Sequence, residues 1–273
     1  MDVFTEAEEK QLSRTLGYWG ERAAETQAAI TQQSVMATEE QLLKYYSASQ
    51  KKIIGQFEKT YNKILSRLEE GKQPTPADLY KLDTYWQMQA DLTRELQKLG
   101  DKQAALLSKR FMEQYRNIYD ALAVPSQASF KMISKETAEQ MINQIWCADG
   151  KSWSSRIWTN TNRLRETLND GLMECLLTGR STKELKDVLQ ERFAVSYRSA
   201  DTLVKTEMAH IQTQAAQQRY KDYGIQQVQI WADYDERRCD ICGKLHKTIY
   251  PTGASVPIPA HPRCRCCIIP VVE

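Results

Sequence analysis

The stretch CDICGKLHKTIYPTGASVPIPAHPRCRCCIIPVV, residues 239–272, holds five of the chain's seven cysteines (Cys239, Cys242, Cys264, Cys266 and Cys267) together with His246 and His261. Such clustering is unlike a scattered disulfide framework and points to a metal. Cys239 and Cys242 form a C-x2-C turn that aims two thiolates at one centre. After 18 residues, His261 and Cys264 form an H-x2-C pair that completes a tetrahedral N/S set of the kind a structural zinc takes. Cys266 is able to replace Cys264, and His246 is a further alternative ligand. In a loop-rich segment of about 45 residues such a site contributes on the order of 10 kcal/mol to folding, because metal-binding energy becomes folding energy where no site pre-exists. Free or partly buried thiols in a small hairpin core are the alternative, with catalytic or redox use a third. Three cysteines and one histidine leave no open position for a substrate water, which argues against a catalytic metal.

Working outward, IQQVQIWADYD at 225–235 interleaves β-branched and aromatic residues with polar ones, and CIIPVV at 267–272 is a short apolar run. These two runs are expected to pair as antiparallel strands. The Pro- and Gly-bearing loop 251–262 between them is too irregular for another regular element of any length. Something other than apolar burial must hold it.

Upstream the pattern is helical. From Glu6 to Leu122 the clearest face is Tyr46, Ile53, Phe57, Tyr61, Ile64 and Leu68, with Lys51, Lys52, Glu58 and Lys63 on the other sides. In GKQPTPAD, at 71–78, Thr75 caps the next helix, Pro76 fits its first position and Asp78 complements its dipole. That helix, with Leu79, Leu82, Trp86, Leu92 and Leu96, is expected to run to Gly100. Asp101 then caps a third, carrying Leu107, Phe111, Tyr115, Ile118 and Leu122, before VPSQAS at 124–129 stops it. The simplest packing is an elongated antiparallel helical arm, with the 46–68 face against 79–96 preferred to a coiled coil with another chain. Beyond the linker, Leu164, Leu168, Leu172, Cys175 and Leu176 form a stripe ending at Gly179. Ser181 and Glu184 make a capping box for LKDVLQERF. A separate helix at about 197–222 buries Ala200, Leu203, Val204, Ile211 and Ala215 and stops before Gly224. The expected fold is mainly α with a small C-terminal α+β module. It comprises a helical arm at 1–124, a helical middle region at 125–200, and a module at 201–273 whose short antiparallel β structure zinc pins.

Composition narrows the function classes. Lys plus Arg number 37 against 35 for Asp plus Glu, so a net charge of +2 gives no global pull toward nucleic acid or anionic membrane. A mean hydropathy of −0.59, with 11 Gly and 8 Pro, fits a soluble helix-rich protein. The segment MDVFTEAEEK lacks an apolar signal region, and the longest apolar stretch, Cys266 to Val272, is too short for a bilayer. The expectation is a protein neither exported nor membrane-integral, in a reducing compartment. Lys151, Arg156, Arg163 and Arg165 interleave with Trp153 and Trp158 as a candidate nucleic-acid contact. The plainer reading is that the tryptophans anchor a helix start while the arginines stay solvated. Glu207 and His210, three apart, are able to share a metal, but a polar helix face with Thr206 nearby is the preferred explanation.

The segments ADYDERRCDICGKLHKTIY and PIPAHPRCRCCIIPVV resemble the C-terminal signature of phage minor head proteins, the head morphogenesis family that includes the phage Mu protein F-like proteins. Asp233, Asp235, Cys239, Cys242, Leu245, His261, Pro262, Cys264, Arg265 and Cys266 fill the pattern. The preceding helix is similar to that family's basic-Thr-Glu-x-Ala helix, with Lys205, Thr206, Glu207 and Ala209 in register. Segments GKSWSSRIWTNTNRL and TGRSTKEL also look like such minor capsid proteins. The likeness covers about 130–273, and Cys267 departs from it where an aliphatic residue is expected. It implies a non-enzymatic protein of the virion head interior, present in the host cytoplasm during assembly. Its implied partners are portal, capsid or scaffold protein and DNA, and its implied work is packaging or delivery of that DNA. The rival class is a metal-dependent DNA nuclease of the His/Cys or HNH kind, which needs a general-base His and an open metal site. A prophage-borne toxin is a third class, but the chain contains no nucleophile elbow, phosphate loop or nicotinamide-binding pattern.

Overall fold

The computed structural model describes residues 6–66, 74–123, 133–232 and 238–271, with side chains from Tyr18 onward and excepting Leu65. Its helices are α1 (Glu6–Leu65), α2 (Pro76–Tyr80), α3 (Asp83–Ala121), α4 (Lys135–Ile142), α5 (Trp153–Thr178), α6 (Thr182–Asp222) and α7 (Asp240–Leu245). The strands are β1 (Gln227–Trp231), β2 (Ile249–Pro251) and β3 (Cys267–Val271). The chain is mainly α with a small C-terminal antiparallel sheet, as its periodicities predict. Leu68, the 124–129 linker, Asp233 and Asp235 lie outside the described residues. Two compact units are present, one formed by Thr38–Leu107 and Trp146–Asp201, the other by Met1–Ala37, Ser108–Ile145 and Thr202–Glu273.

In the first unit, Tyr46, Ile53, Phe57, Tyr61 and Ile64 of α1 are buried with Leu92 and Leu96 of α3, the whole α5 stripe, and Leu185, Leu189 and Phe193 of α6. The predicted face is thus covered within the chain, and each large side chain so buried contributes about 1.5–3 kcal/mol. The α5 stripe ends at Gly179, whose φ of 64° is the left-handed conformation of a helix C-terminus. The Tyr61 hydroxyl lies 2.9 Å from the Cys175 carbonyl, which also accepts the Gly179 and Arg180 N–H groups, and 2.6 Å from the Arg180 carbonyl, tying α1 to the end of α5. At the start of α2 the Asp78 carboxylate accepts from the Thr75 N–H (3.0 Å) and hydroxyl (2.7 Å), the cap the sequence predicts. The Ser181–Glu184 box is also present: the Ser181 N–H donates to Glu184 at 2.8 Å, and the Glu184 N–H to the Ser181 hydroxyl at 3.3 Å.

Three expectations need correction. Gly100 does not end a helix, because α3 runs through it to Ala121. Glycine stands there for contact: a Cβ would lie 2.4 Å from the Trp158 ring of α5. Trp86 is not on the buried face; it is 54% exposed, and Tyr85 and Met88 are buried instead. The interruption between α2 and α3 sets that rotation, and the Trp86 indole N–H donates to the Tyr80 carbonyl at 2.8 Å while its ring stacks on Tyr80. Finally, the two helices expected within 181–222 are one, α6, since no Gly or Pro interrupts Thr182–Asp222.

In the second unit β1 is the central strand of the order β2-β1-β3. It pairs antiparallel with β3 as expected, Ile230 opposite Ile268, and also with β2, Val228 opposite Tyr250. The short β2 and α7 were not legible in the sequence. Strand β3 packs on α1 through Cys267, Ile269 and Ala24. A Cβ at Gly20 would stand 3.0 Å from Ile269. The interior also carries polar links: the Thr31 hydroxyl donates to Gln212 (2.5 Å) and accepts from Gln114 (2.6 Å). The Arg219 guanidinium lies 4.5 Å from the ring centroids of both Tyr119 and Tyr223.

Candidate metal centre

Cys239 is the N-cap of α7, and its sulfur accepts the Cys242 N–H at 3.4 Å. This turn places both sulfurs beside His261, whose Nε2 is 3.3 Å from Cys239 Sγ and 3.1 Å from Cys242 Sγ. The other ring nitrogen, Nδ1, lies 2.8 Å from the Pro262 carbonyl. An N–H on Nδ1 donates to that oxygen and leaves the Nε2 lone pair facing the sulfurs, as in a histidine whose ring is held in place to bind a metal. Cys242 Sγ is also 3.7 Å from Cys264 Sγ. With metal–sulfur bonds of about 2.3 Å, the edge of a tetrahedron is about 3.8 Å, so the pair fits one centre.

The structure gathers the thiols into two groups, Cys239–Cys242–His261 and Cys242–Cys264–Cys266, each with its ligand atoms within 4.8 Å of one another. Cys242 belongs to both. The four ligands expected from the spacing are divided between the two groups: Cys239, Cys242 and His261 meet in one, and Cys264 meets Cys242 and the alternative ligand Cys266 in the other. His246 is in neither group among the described residues. Its Nδ1 accepts the Ala232 N–H at 3.1 Å and its ring meets Trp231 edge-on at 5.1 Å, tying the end of α7 to β1. Cys267 faces the α1 contact instead.

The groups of the cluster are shifted in both directions. The Cys242 N–H lowers the Cys239 pKa. A hydrogen bond from Cys266 lowers that of Cys264, and the same bond raises Cys266. Burial pushes the Cys242 thiol up to about 12. The Pro262 carbonyl raises His261. Metal binding to such a set releases protons and is accordingly pH-dependent.

Polar clamps hold the irregular loop on α6. Arg263, at a left-handed φ of 62°, donates its N–H to the Thr206 hydroxyl (3.1 Å) and its Nε to the Thr202 hydroxyl (3.0 Å). The Gln217 amide donates to the Ala254 carbonyl at 3.0 Å, and Ile258 is buried. Thr206 thus has a specific task in the segment that carries the family likeness. Thr202 went unrecognised, although its i, i+4 spacing from Thr206 was the available signal.

The remaining candidates are placed as follows. Trp153 is buried at the first position of α5, and Trp158 packs on Gly100, so both rings are occupied in packing. Arg156 pairs with Asp149 at 2.7 Å, Lys151 and Arg163 are exposed, and Arg165 is half-buried. Glu207 and His210 are buried on α6, and burial lowers the His210 pKa to about 4. No helix among the described residues is long and apolar enough to cross a membrane.

Residues 166–269 match the family model described as Phage Mu protein F like protein. The matched segment contains α6, the Thr206–Arg263 clamp and every cysteine of the two metal-type groups. No curated protein and no solved structure gives a significant match.

Proposed function

We propose that this chain, whose residues 166–269 form a Phage Mu F-like region, is a phage or prophage minor capsid protein acting inside the procapsid near the portal. There it serves head assembly and the packaging or delivery of DNA, without an enzymatic step of its own. The observation that carries the reading is the family match, which supports a head morphogenesis role in general and spans the complete Cys/His cluster. Portal, capsid or scaffold protein are its partners, and the finished virion head is its location. DNA is a secondary partner.

The metal is a structural zinc held by Cys239, Cys242, His261 and Cys264. The 3.7 Å sulfur–sulfur edge and the outward-bonded Nδ1 of His261 support this set. When bound, zinc supplies a closed cross-link between α7 and the start of β3. His246, with Nδ1 accepting from a backbone N–H, and His210, buried and made a weak base by a pKa lowered to about 4, are poorly disposed as the general base a nuclease needs.

The test is mass spectrometry of heads purified from the producing phage, combined with deletion of the gene. The expected result is the chain in a few copies per head, and loss of DNA-filled heads on deletion. Its absence from procapsids and virions would refute the proposal.

A further inference from the structure

Four thiols converge in this module, whereas a closed four-donor centre that includes His261 uses three. Cys242 and Cys264 stand out among them: both are buried, and their sulfurs are in contact at 3.7 Å. They are 22 residues apart and flank the irregular loop. Cys239 and Cys242 both lie at the start of α7, and only Arg265 separates Cys264 from Cys266. A bond between Cys242 and Cys264 therefore closes the same loop that a metal closes. The local pairings Cys239–Cys242 and Cys264–Cys266 do not; Cys242–Cys266 would close nearly the same loop, and Cys242–Cys264 is the pair whose sulfurs stand at 3.7 Å.

We propose that Cys242 and Cys264 are a redox pair, joined as a disulfide when the metal is absent or displaced, so that the module has two pinned states. The metal-bound state rests on the zinc reading above; the disulfide state rests on thiol geometry alone. The oxidant is a hydroperoxide. One sulfur attacks the peroxide O–O bond, releasing an alcohol and leaving a sulfenic acid; the second sulfur then displaces water to form the S–S bond. Two thiols and one hydroperoxide thus give one disulfide, one alcohol and one water, with two electrons passing from sulfur to the peroxide oxygen. Cys239 and His261, both partly exposed, mark the side from which the oxidant enters. A zinc ion displaced in this step leaves because two of its thiolates no longer carry charge.

The test uses the full chain, zinc-loaded and chelator-stripped, treated with stoichiometric hydrogen peroxide and mapped by non-reducing peptide mass spectrometry. The expected product is a Cys242–Cys264 cross-link, formed at least tenfold faster in stripped protein and reversed by dithiothreitol. Its formation in loaded protein releases one zinc per disulfide. Cys266→Ser should form the same cross-link, and amide exchange over 252–264 should remain slow in the oxidised protein. A dominant Cys239–Cys242, Cys264–Cys266 or Cys242–Cys266 bond, loss of the product in Cys266→Ser, or sulfinic acids with no cross-link would overturn the pair. A chain that binds no zinc yet forms the cross-link would sink the zinc reading alone. Zinc bound without the cross-link in stripped protein would sink the redox pair alone.

Discussion

Gln27, in α1, donates its side-chain amide to the carbonyl of Ile268, in β3, at 2.8 Å across 241 residues of sequence. The Tyr220 hydroxyl approaches the same oxygen at 3.4 Å. Strand β3 is an edge of the sheet, and an edge carbonyl left buried without a donor is costly. The first helix therefore completes the last strand. With the Tyr220 hydroxyl still within reach of that oxygen, Gln27→Ala is expected to destabilise the protein by about 1 kcal/mol. Urea unfolding checks this, and an unchanged midpoint would remove the link from the account.

Gly100→Ala sets two effects against each other. Alanine raises helix propensity by about 1 kcal/mol, but its Cβ meets the Trp158 ring at 2.4 Å. Overpacking of this kind costs about 1–3 kcal/mol, so a net loss of stability is expected. The double variant Gly100→Ala/Trp158→Ala should show strong non-additivity in a thermal-unfolding cycle. Simple additivity would mean that the two residues do not meet.

The Thr206–Arg263 clamp predicts a localised effect. Thr206→Val removes the acceptor for a backbone N–H at a cost of about 1 kcal/mol. Faster amide exchange over residues 251–264 is the expected outcome, with α5 unchanged. Equal acceleration in α5 would show a general loss of stability instead.

Removal of the metal should act on the same module. Chelation, or Cys239→Ser, is expected to abolish zinc binding and to expose amides of 238–264, while the helical core around Tyr61 and Leu168 keeps its protection. Metal analysis together with hydrogen exchange reads both. Zinc content unaffected by Cys239→Ser would exclude Cys239 from the ligand set.

His210 gives a pH dependence of known sign. Its folded pKa is lowered by burial to about 4 from 6.5. The unfolded chain therefore binds the extra proton between those values, and stability falls as pH drops from about 6.5 toward 4. The full effect is on the order of 3 kcal/mol, at about 1.4 kcal/mol per unit. The difference in unfolding free energy between the protein and His210→Gln should shrink or reverse over that window, with metal effects common to both. A constant difference would place His210 in a solvated site.

Much of this was legible in the sequence because it is local. The α5 stripe, the Thr75 and Ser181 caps, Gly179, the β1–β3 pairing and the Cys239, Cys242 and His261 group all follow from spacing within one or two turns, or from donor chemistry that admits few partners. Contact between distant segments decided the rest. Gly100 reads as a helix end until the Trp158 ring is seen against it, and α6 reads as two helices until packing shows its stripe continuous from Leu185 to Ala200. The second thiol group, which shares Cys242, depends on where loop 251–264 returns to α7. Sequence alone thus determined the mainly helical character, the β1–β3 pairing and which residue types can hold a metal, since short-range sterics and ligand chemistry suffice for these. Tertiary structure decided which thiols meet, which aromatic rings are occupied and which glycine is a contact, because side-chain packing and loop return are set by residues far apart in the chain.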